Sequence, residues 1–324
     1  MTAPSIKILV VGCGSIGRRH LQVLSERRDL EIAACDPSPE ALAAVSALVT
    51  EELRFGSLEG ALHWQPAIVV IAAPYTMHRQ VAVASFAAGA NVLCEKPLAE
   101  TAEDARAIIA AATKHGKVLA VGYSERYRPS IQRVIQLATS GEIGTLVGGR
   151  AMVGTYNTLL CAKTDYREHV FGALLMDYTH EFDFLRAIFG ELRDLHCWAN
   201  DLGGLDKKCS PALAATMLRF MSGAIVSVHM DYIQHPQRRL LEVFGDRGVV
   251  ELDLQTDELK VFDPKESGCR IERFDHERNN VIRAEHQDML DAVLTGSTPR
   301  VTGSDGLKAL EIAELAIQQA RSLR

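Results

Sequence analysis

Ile6-Lys7-Ile8-Leu9-Val10-Val11-Gly12-Cys13-Gly14-Ser15-Ile16-Gly17 opens the chain as a short apolar run stopped by glycines. The residues from Ser15 to Arg27 then carry a helical pattern, with Leu21 and Leu24 on one face. The stretch therefore reads strand, turn, helix. Gly12, Gly14 and Gly17 make G-x-G-x-x-G at the mouth of that helix, where the backbone amides around Ser15 and Ile16 and the helix dipole can face a pyrophosphate. Taken alone the pattern is weak, and close packing of a turn is its plain alternative. Its weight comes from placement: a strand precedes it, a helix follows it, and the second apolar run ends on Asp36. The Asp36 carboxylate would accept hydrogen bonds from the adenosine ribose and repel a 2′-phosphate, which favours NAD over NADP.

Further apolar runs follow at 30–35, 67–73, 91–94 and 117–121, separated by alanine-rich segments of helical length at 38–48, 76–88 and 101–115. Strands that alternate with helices pair in parallel through right-handed crossovers, so residues 1–122 are expected to form a doubly wound α/β Rossmann domain. After Gly122 the pattern changes. Two helical segments, 129–140 and 173–189, precede runs of alternating character from about 192 to 275. Val226, Val228, Met230 and Tyr232 share one face of such a run, and Ser227, His229 and Asp231 the other. Residues 123–324 are thus expected to form an α+β domain with a mostly antiparallel open sheet, for substrate binding and oligomerisation. A last helix, near 303–322, could pack on either domain.

With 47% hydrophobic residues in 324, the chain can bury a large core, which excludes a disordered or fibrous protein. Its 35 basic against 41 acidic residues give a net charge of −6, and the basic ones are scattered, so no nucleic-acid footprint appears. The expected partner is a small molecule. The apolar stretches are strand-sized and the first residues lack a secretory layout, so the expected setting is the cytoplasm, away from membranes. Seven cysteines without C-x-x-C spacing read as reduced, buried thiols.

Glu95-Lys96-Pro97 closes the fourth apolar run, at the carboxyl end of an expected parallel strand, which is where doubly wound sheets place their ligands. In the segment 173–189, a wheel of about 100° per residue puts Leu174, Tyr178, Phe182, Leu185 and Phe189 on one stripe and His180 nearly opposite. Asp177 lies one turn before His180 and Asp183 one turn after, so either carboxylate can orient the ring. A histidine titrating near about pH 6.5 suits proton transfer, although a plain solvated helix face would show the same pattern. Asp177 and Asp183 stand about 240° apart and no H-E-x-x-H is present, so no metal is expected.

Glu95-Lys96-Pro97, the glycine motif, and Gly122-Tyr123 followed by Arg126 and Pro129 together resemble the glucose-fructose oxidoreductase and inositol dehydrogenase family, Gfo/Idh/MocA, essentially end to end. The resemblance implies an NAD(P)-dependent oxidoreductase acting on a hydroxyl or ketone of a sugar, inositol or nucleotide sugar, assembled as a homodimer or homotetramer. It implies that Lys96 works near the reacting oxygen, with His180 exchanging the proton and Asp177 beside it. It also implies that Ala73, Pro74 and His78, with Glu95, Lys96 and Pro97, contact the cofactor. Two departures stand out. The family commonly has its aspartate four residues before the histidine, where Asp177 is three before His180, and the glycine-rich run before this helix is reduced to Gly172. Asp165-Tyr166-Arg167-Glu168, Thr179-His180-Glu181 and Asp231-Tyr232-Ile233-Gln234 are similar to a branch associated with sugar and surface-polysaccharide metabolism. There Arg126, Tyr156, Arg167, Asp183, Tyr232 and Arg238 are the candidates for holding substrate, with a structural part the equal alternative for Tyr156, Arg167, Tyr232 and Arg238. Two other functions live on relatives of the same fold: an NAD-retaining glycoside hydrolase and a non-enzymatic sensor. Keeping both Lys96 and His180 argues for an enzyme.

Overall fold

Five apolar runs, with the short pair Arg54–Phe55, become the six parallel strands of one sheet in the computed structural model, which describes residues 5–161, 170–202, 209–275 and 277–322. They are β1 (Ile6–Val11), β2 (Leu30–Cys35), β3 (Arg54–Phe55), β4 (Ile68–Ile71), β5 (Asn91–Glu95) and β6 (Leu119–Gly122), in the order β3-β2-β1-β4-β5-β6. Every neighbouring pair is parallel. Helices α1 (Ser15–Ser25), α2 (Pro39–Ala43), α3 (Leu58–His63), α4 (His78–Ala87) and α5 (Ala102–His115) make the crossovers. All four residues of β4 are buried, as a parallel strand covered on both faces requires. The order turns back between β1 and β4, so the loops after these two strands flank the crevice where such sheets bind ligands.

The chain divides into two units: Met1–Tyr127 with Glu277–Leu310, and Arg128–His276 with Glu311–Arg324. The sequence reading closed the first domain at Gly122 and gave the remainder to the second, with the last helix left to pack on either. The first unit runs on to Tyr127 and also takes in the helix Arg278–Thr295, whose Met289 and Leu290 share a core with Leu21, Leu24, Val10 and Val70. The last helix, Gly303–Ser322, gives its residues up to Leu310 to the first unit and the others to the second.

The second unit holds an eight-stranded sheet of β7 (Leu146–Gly154), β8 (Leu192–Asn200), β9 (Leu213–Phe220), β10 (Ile225–Asp231), β11 (Arg238–Gly245), β12 (Val249–Asp253), β13 (Glu258–Phe262) and β14 (Arg270–Arg273). Its order is β14-β13-β12-β11-β7-β10-β9-β8, and every pair is antiparallel except β7 with β10. Val226, Val228, Met230 and Tyr232 are all buried, as the alternation predicts. Asp231 departs from it at 1% exposure. Its carboxylate is surrounded by donors: Oδ1 accepts from the Ile233 and Gln234 amides, each at 2.8 Å, and Oδ2 from Gln234 Nε2 at 2.7 Å and from His229 Nε2 at 2.9 Å.

The segment 173–189 is two helices, not one. Ala173–Asp177 ends at Tyr178, whose φ of −105 and ψ of 30 break the α-helical course before Thr179–Phe189 begins. A single wheel therefore does not run through the segment. The second helix is buried nearly all round, and Glu181, Asp183 and Arg186 are as enclosed as Phe182 and Leu185. Of its polar residues only His180 is partly exposed.

Candidate active site

In the first unit the site grows from the turn after β1. Gly12 has φ +95, and a Cβ on it would lie 2.6 Å from the Ala72 carbonyl oxygen. A Cβ on Gly17 would lie 1.8 Å from the Gly12 carbonyl oxygen, so only glycine lets α1 start this close to the strand. Gly14 meets nothing within 4 Å on its Cβ side, and no side chain caps the first turn of α1. The open side of the loop and the first-turn amides at Ser15, Ile16 and Gly17 form a cradle for an anion.

Asp36, just beyond β2, braces that loop. Its Oδ2 accepts from the Cys13 amide at 2.7 Å and its Oδ1 from the Ser38 amide at 2.9 Å. Each oxygen keeps lone-pair capacity for a ribose hydroxyl. The glycine cradle and the braced acid sit in one parallel sheet, and together these residues fit a dinucleotide.

Glu95 ends β5, with Lys96 and Pro97 directly after it. Glu95 Oε2 accepts from the Lys96 amide at 3.2 Å, and Oε1 pairs with His20 Nε2 at 2.9 Å. Burial would raise this carboxyl, but the His20 hydrogen bond and the Lys96 ammonium outweigh it and hold it below its ordinary range. His78, expected to touch the cofactor, is 1% exposed and spans two loops instead: Nε2 lies 2.9 Å from the Ala73 oxygen and Nδ1 3.0 Å from the Pro97 oxygen. Burial lowers its pKa, and the ring ties the β4 loop to the Lys96 turn. Ala73 and Pro74 line the outer side of that loop, half-buried and exposed. Arg126 is half-buried, with Nη2 3.5 Å from the Arg300 oxygen.

In the second unit the helix break at Tyr178 puts Asp177 at the end of one helix and His180 in the first turn of the next. Tyr232 is fully buried, and its hydroxyl donates to Asp177 Oδ2 at 2.5 Å. Tyr232 therefore orients Asp177, the structural one of the two parts the sequence reading left open for it. Tyr178 lies against the Tyr232 ring at 5.9 Å and shares a 2.9 Å hydrogen bond with Thr158, and burial pushes its phenol up. Asp183, at 1% exposure, is buried in the helix Thr179–Phe189. Arg238 is exposed at the start of β11, whereas its neighbour Arg239 pairs with buried Glu181 at 2.7 Å. Tyr156 is half-buried, its amide on the Gln234 oxygen at 3.1 Å. Arg167 lies outside the described residues.

Two family models match this chain: an oxidoreductase family with an NAD-binding Rossmann fold over residues 6–123, and its C-terminal alpha/beta domain over residues 139–324. The chain belongs to the Gfo/Idh/MocA oxidoreductases. It is 26% identical to a D-apiose dehydrogenase of Paraburkholderia graminis, covering 100% of this chain and 90% of that one. It is 25% identical to an inositol 2-dehydrogenase of Rhizobium meliloti, covering 99% and 98%. Among solved structures, an Agrobacterium radiobacter oxidoreductase in complex with NAD+, L-tartaric acid and magnesium shares the fold at a TM-score of 0.89, with 23% identity over 99% of this chain and 97% of that one.

In this Gfo/Idh/MocA oxidoreductase the sequence reading missed His20 and Arg239, and gave Glu181 only as part of Thr179-His180-Glu181. For His20 a signal existed. It stands three residues after Gly17, and Gly17, His20, Leu21 and Leu24 make one inward stripe of α1, in which a histidine needs a partner. Arg239 gave no signal, since its partner lies 58 residues away.

Proposed function

We propose that this oxidoreductase interconverts a hydroxyl and a ketone on a sugar, an inositol or a nucleotide sugar, using NAD in preference to NADP. The observation that carries the reading is Lys96 following β5, in the sheet whose glycine turn and Asp36 form the dinucleotide cradle. Relatives named for D-apiose and inositol support the substrate class. Gly12, Gly14 and Gly17 would hold the pyrophosphate by backbone amides, and Asp36 the adenosine ribose. Bound NAD supplies the hydride acceptor or donor. Lys96 polarises the reacting oxygen with its ammonium, and His180 exchanges the hydroxyl proton while Asp177, held by Tyr232, steadies that neighbourhood.

The enzyme is placed in the cytoplasm and read as a homodimer or homotetramer. Seven free thiols support the first, because a reducing compartment keeps them so. Trp198, Met217 and Ile225, exposed on one face of the β8-β9-β10 part of the sheet, support the second. Among the described residues no helix is long and apolar enough to cross a membrane.

Lys96→Met keeps the stem length and removes the charge. Turnover is expected to fall by about 100-fold or more, while NADH affinity stays within about twofold. Unchanged turnover in a folded variant would refute the role given to Lys96.

A further inference from the structure

Behind the Lys96 turn, inside the first unit, lies a group of polar side chains that the proposed chemistry does not use. His20 has no solvent exposure, and both its nitrogens are engaged: Nε2 with Glu95 Oε1 at 2.9 Å, Nδ1 with His286 Nε2 at 2.7 Å. The two imidazoles stand 5.0 Å apart, and His286 is 4% exposed. Glu285, 1% exposed, completes the group, its carboxylate within 4.8 Å of the ligand atoms of His20 and Glu95. Such a spacing would admit a cation. Here, however, His20 and Glu95 are already spent on each other, and His286, His20 and Glu95 read as a hydrogen-bonded chain with Glu285 beside it.

We infer that His20 is a positioning residue: by binding Glu95 Oε1 it locks the glutamate whose other oxygen holds the Lys96 amide, and so fixes the turn that aims Lys96. This rests on the role given to Lys96 above. The two oxygens of Glu95 have different partners, one on α1 and one on its own chain, so the carboxylate cannot turn without breaking a bond. Gly122 on β6 closes the other side. A Cβ there would lie 3.1 Å from Glu95 Cα and 3.2 Å from its carboxylate, so the glycine leaves the room that the carboxylate fills. Facing a carboxylate, His20 Nε2 carries a hydrogen in either protonation state. Burial and His20 itself push the pKa of His286 well below its ordinary value. His286 is then neutral, an uncharged partner for Nδ1 that sets the tilt of the His20 ring.

Two amide variants separate the two bonds. Gln at this position carries its NH2 where the imidazole has Nε2 and can still donate to Glu95, whereas the shorter Asn reaches only the Nδ1 side. His20→Asn is expected to speed hydrogen exchange at the Lys96 amide, and to lower kcat by about 10- to 100-fold on whichever sugar, inositol or nucleotide sugar the wild type oxidises fastest, with KM for NAD and the Kd for NADH within about twofold. His20→Gln should stay within about threefold of wild type in both readouts. A role in stability alone would lower Tm in both variants and leave kcat per folded enzyme and Lys96 exchange alike in the two, and that result overturns the proposal. Activity lost on dialysis against EDTA and restored by Mn2+ or Zn2+ overturns it too, because the same atoms would then be cation ligands. Lys96→Met in the same assay keeps the two claims apart: if it retains turnover, the Lys96 role fails, while the exchange measurement still decides whether His20 holds the turn.

Discussion

Glu285 is a carboxyl group that the fold keeps from water without giving either oxygen a hydrogen-bond partner among the described residues. Burial first, then the negative charges of Glu95 and Asp288, push its pKa well above the ordinary 4.5, so the folded protein holds it as a neutral acid. A folded pKa above the unfolded one gives its full stabilisation below pH 4.5, and that stabilisation drains away as pH rises toward the folded value. Each pH unit in that window costs up to about 1.4 kcal/mol. Glu285→Gln removes the dependence. Its Tm relative to wild type is expected to climb as pH rises above 4.5, as read by thermal melts from acid to neutral pH. A difference that stays constant with pH would show that Glu285 is ionised in the fold. The lowered pKa of His286 acts in both proteins and cancels in the comparison. Other single residues were legible because their chemistry is local. Asp36 and the three glycines answer to the turn beside them, and the sequence carries that turn whole. The alternation marked Tyr232 as buried, but its bond to Asp177 was not legible, since the two lie 55 residues apart.

Among the elements, those with a clean period were legible and those carrying buried polar groups were not. β1, β2, β4, β5 and β6 fall on the apolar runs, and the last helix starts at Gly303 and ends at Ser322, matching its pattern. The helix Arg278–Thr295 escaped because its inward stripe, Val281, Ile282, Glu285, His286, Met289 and Leu290, has two ionisable residues in its middle. Those two residues are the ones that meet His20 and Glu95. The segment 173–189 failed for a related reason. A helical period continues through Tyr178 in the sequence, while the chain breaks there, and buried Glu181 is compensated by Arg239 from β11 rather than by solvent. In β3 only Arg54 and Phe55 pair with β2, too short a run for any period to mark.

At the scale of the molecule, fold class was legible because the change from a 3.6-and-run pattern to alternation marks where a parallel sheet gives way to an antiparallel one. Composition carries no trace of the return of Glu277–Leu310 to the first unit, which depends on the core that Met289 and Leu290 enter. The outward face of the second sheet sets the remaining expectation. Trp198 is 53% exposed, Ile225 51% and Met217 40%, on adjacent strands. Apolar surface of this kind buries well against a second copy. Trp198→Glu with Met217→Glu is expected to shift the protein to monomer in light scattering after gel filtration, with NADH binding retained. A wild-type chain that already elutes as monomer would dismiss that assembly.

The central claim is tested most directly by titrating the protein with NADH and NADPH, then following the absorbance of reduced nicotinamide while a panel of sugars, inositols and nucleotide sugars is added with the preferred oxidised cofactor. The account predicts NADH binding at least about tenfold tighter than NADPH, a difference of about 1.4 kcal/mol, and a rise in absorbance with at least one member of the panel. Tight binding with no redox signal from any of them would contradict it, and would point to a hydrolase or a sensor built on the same cofactor fold.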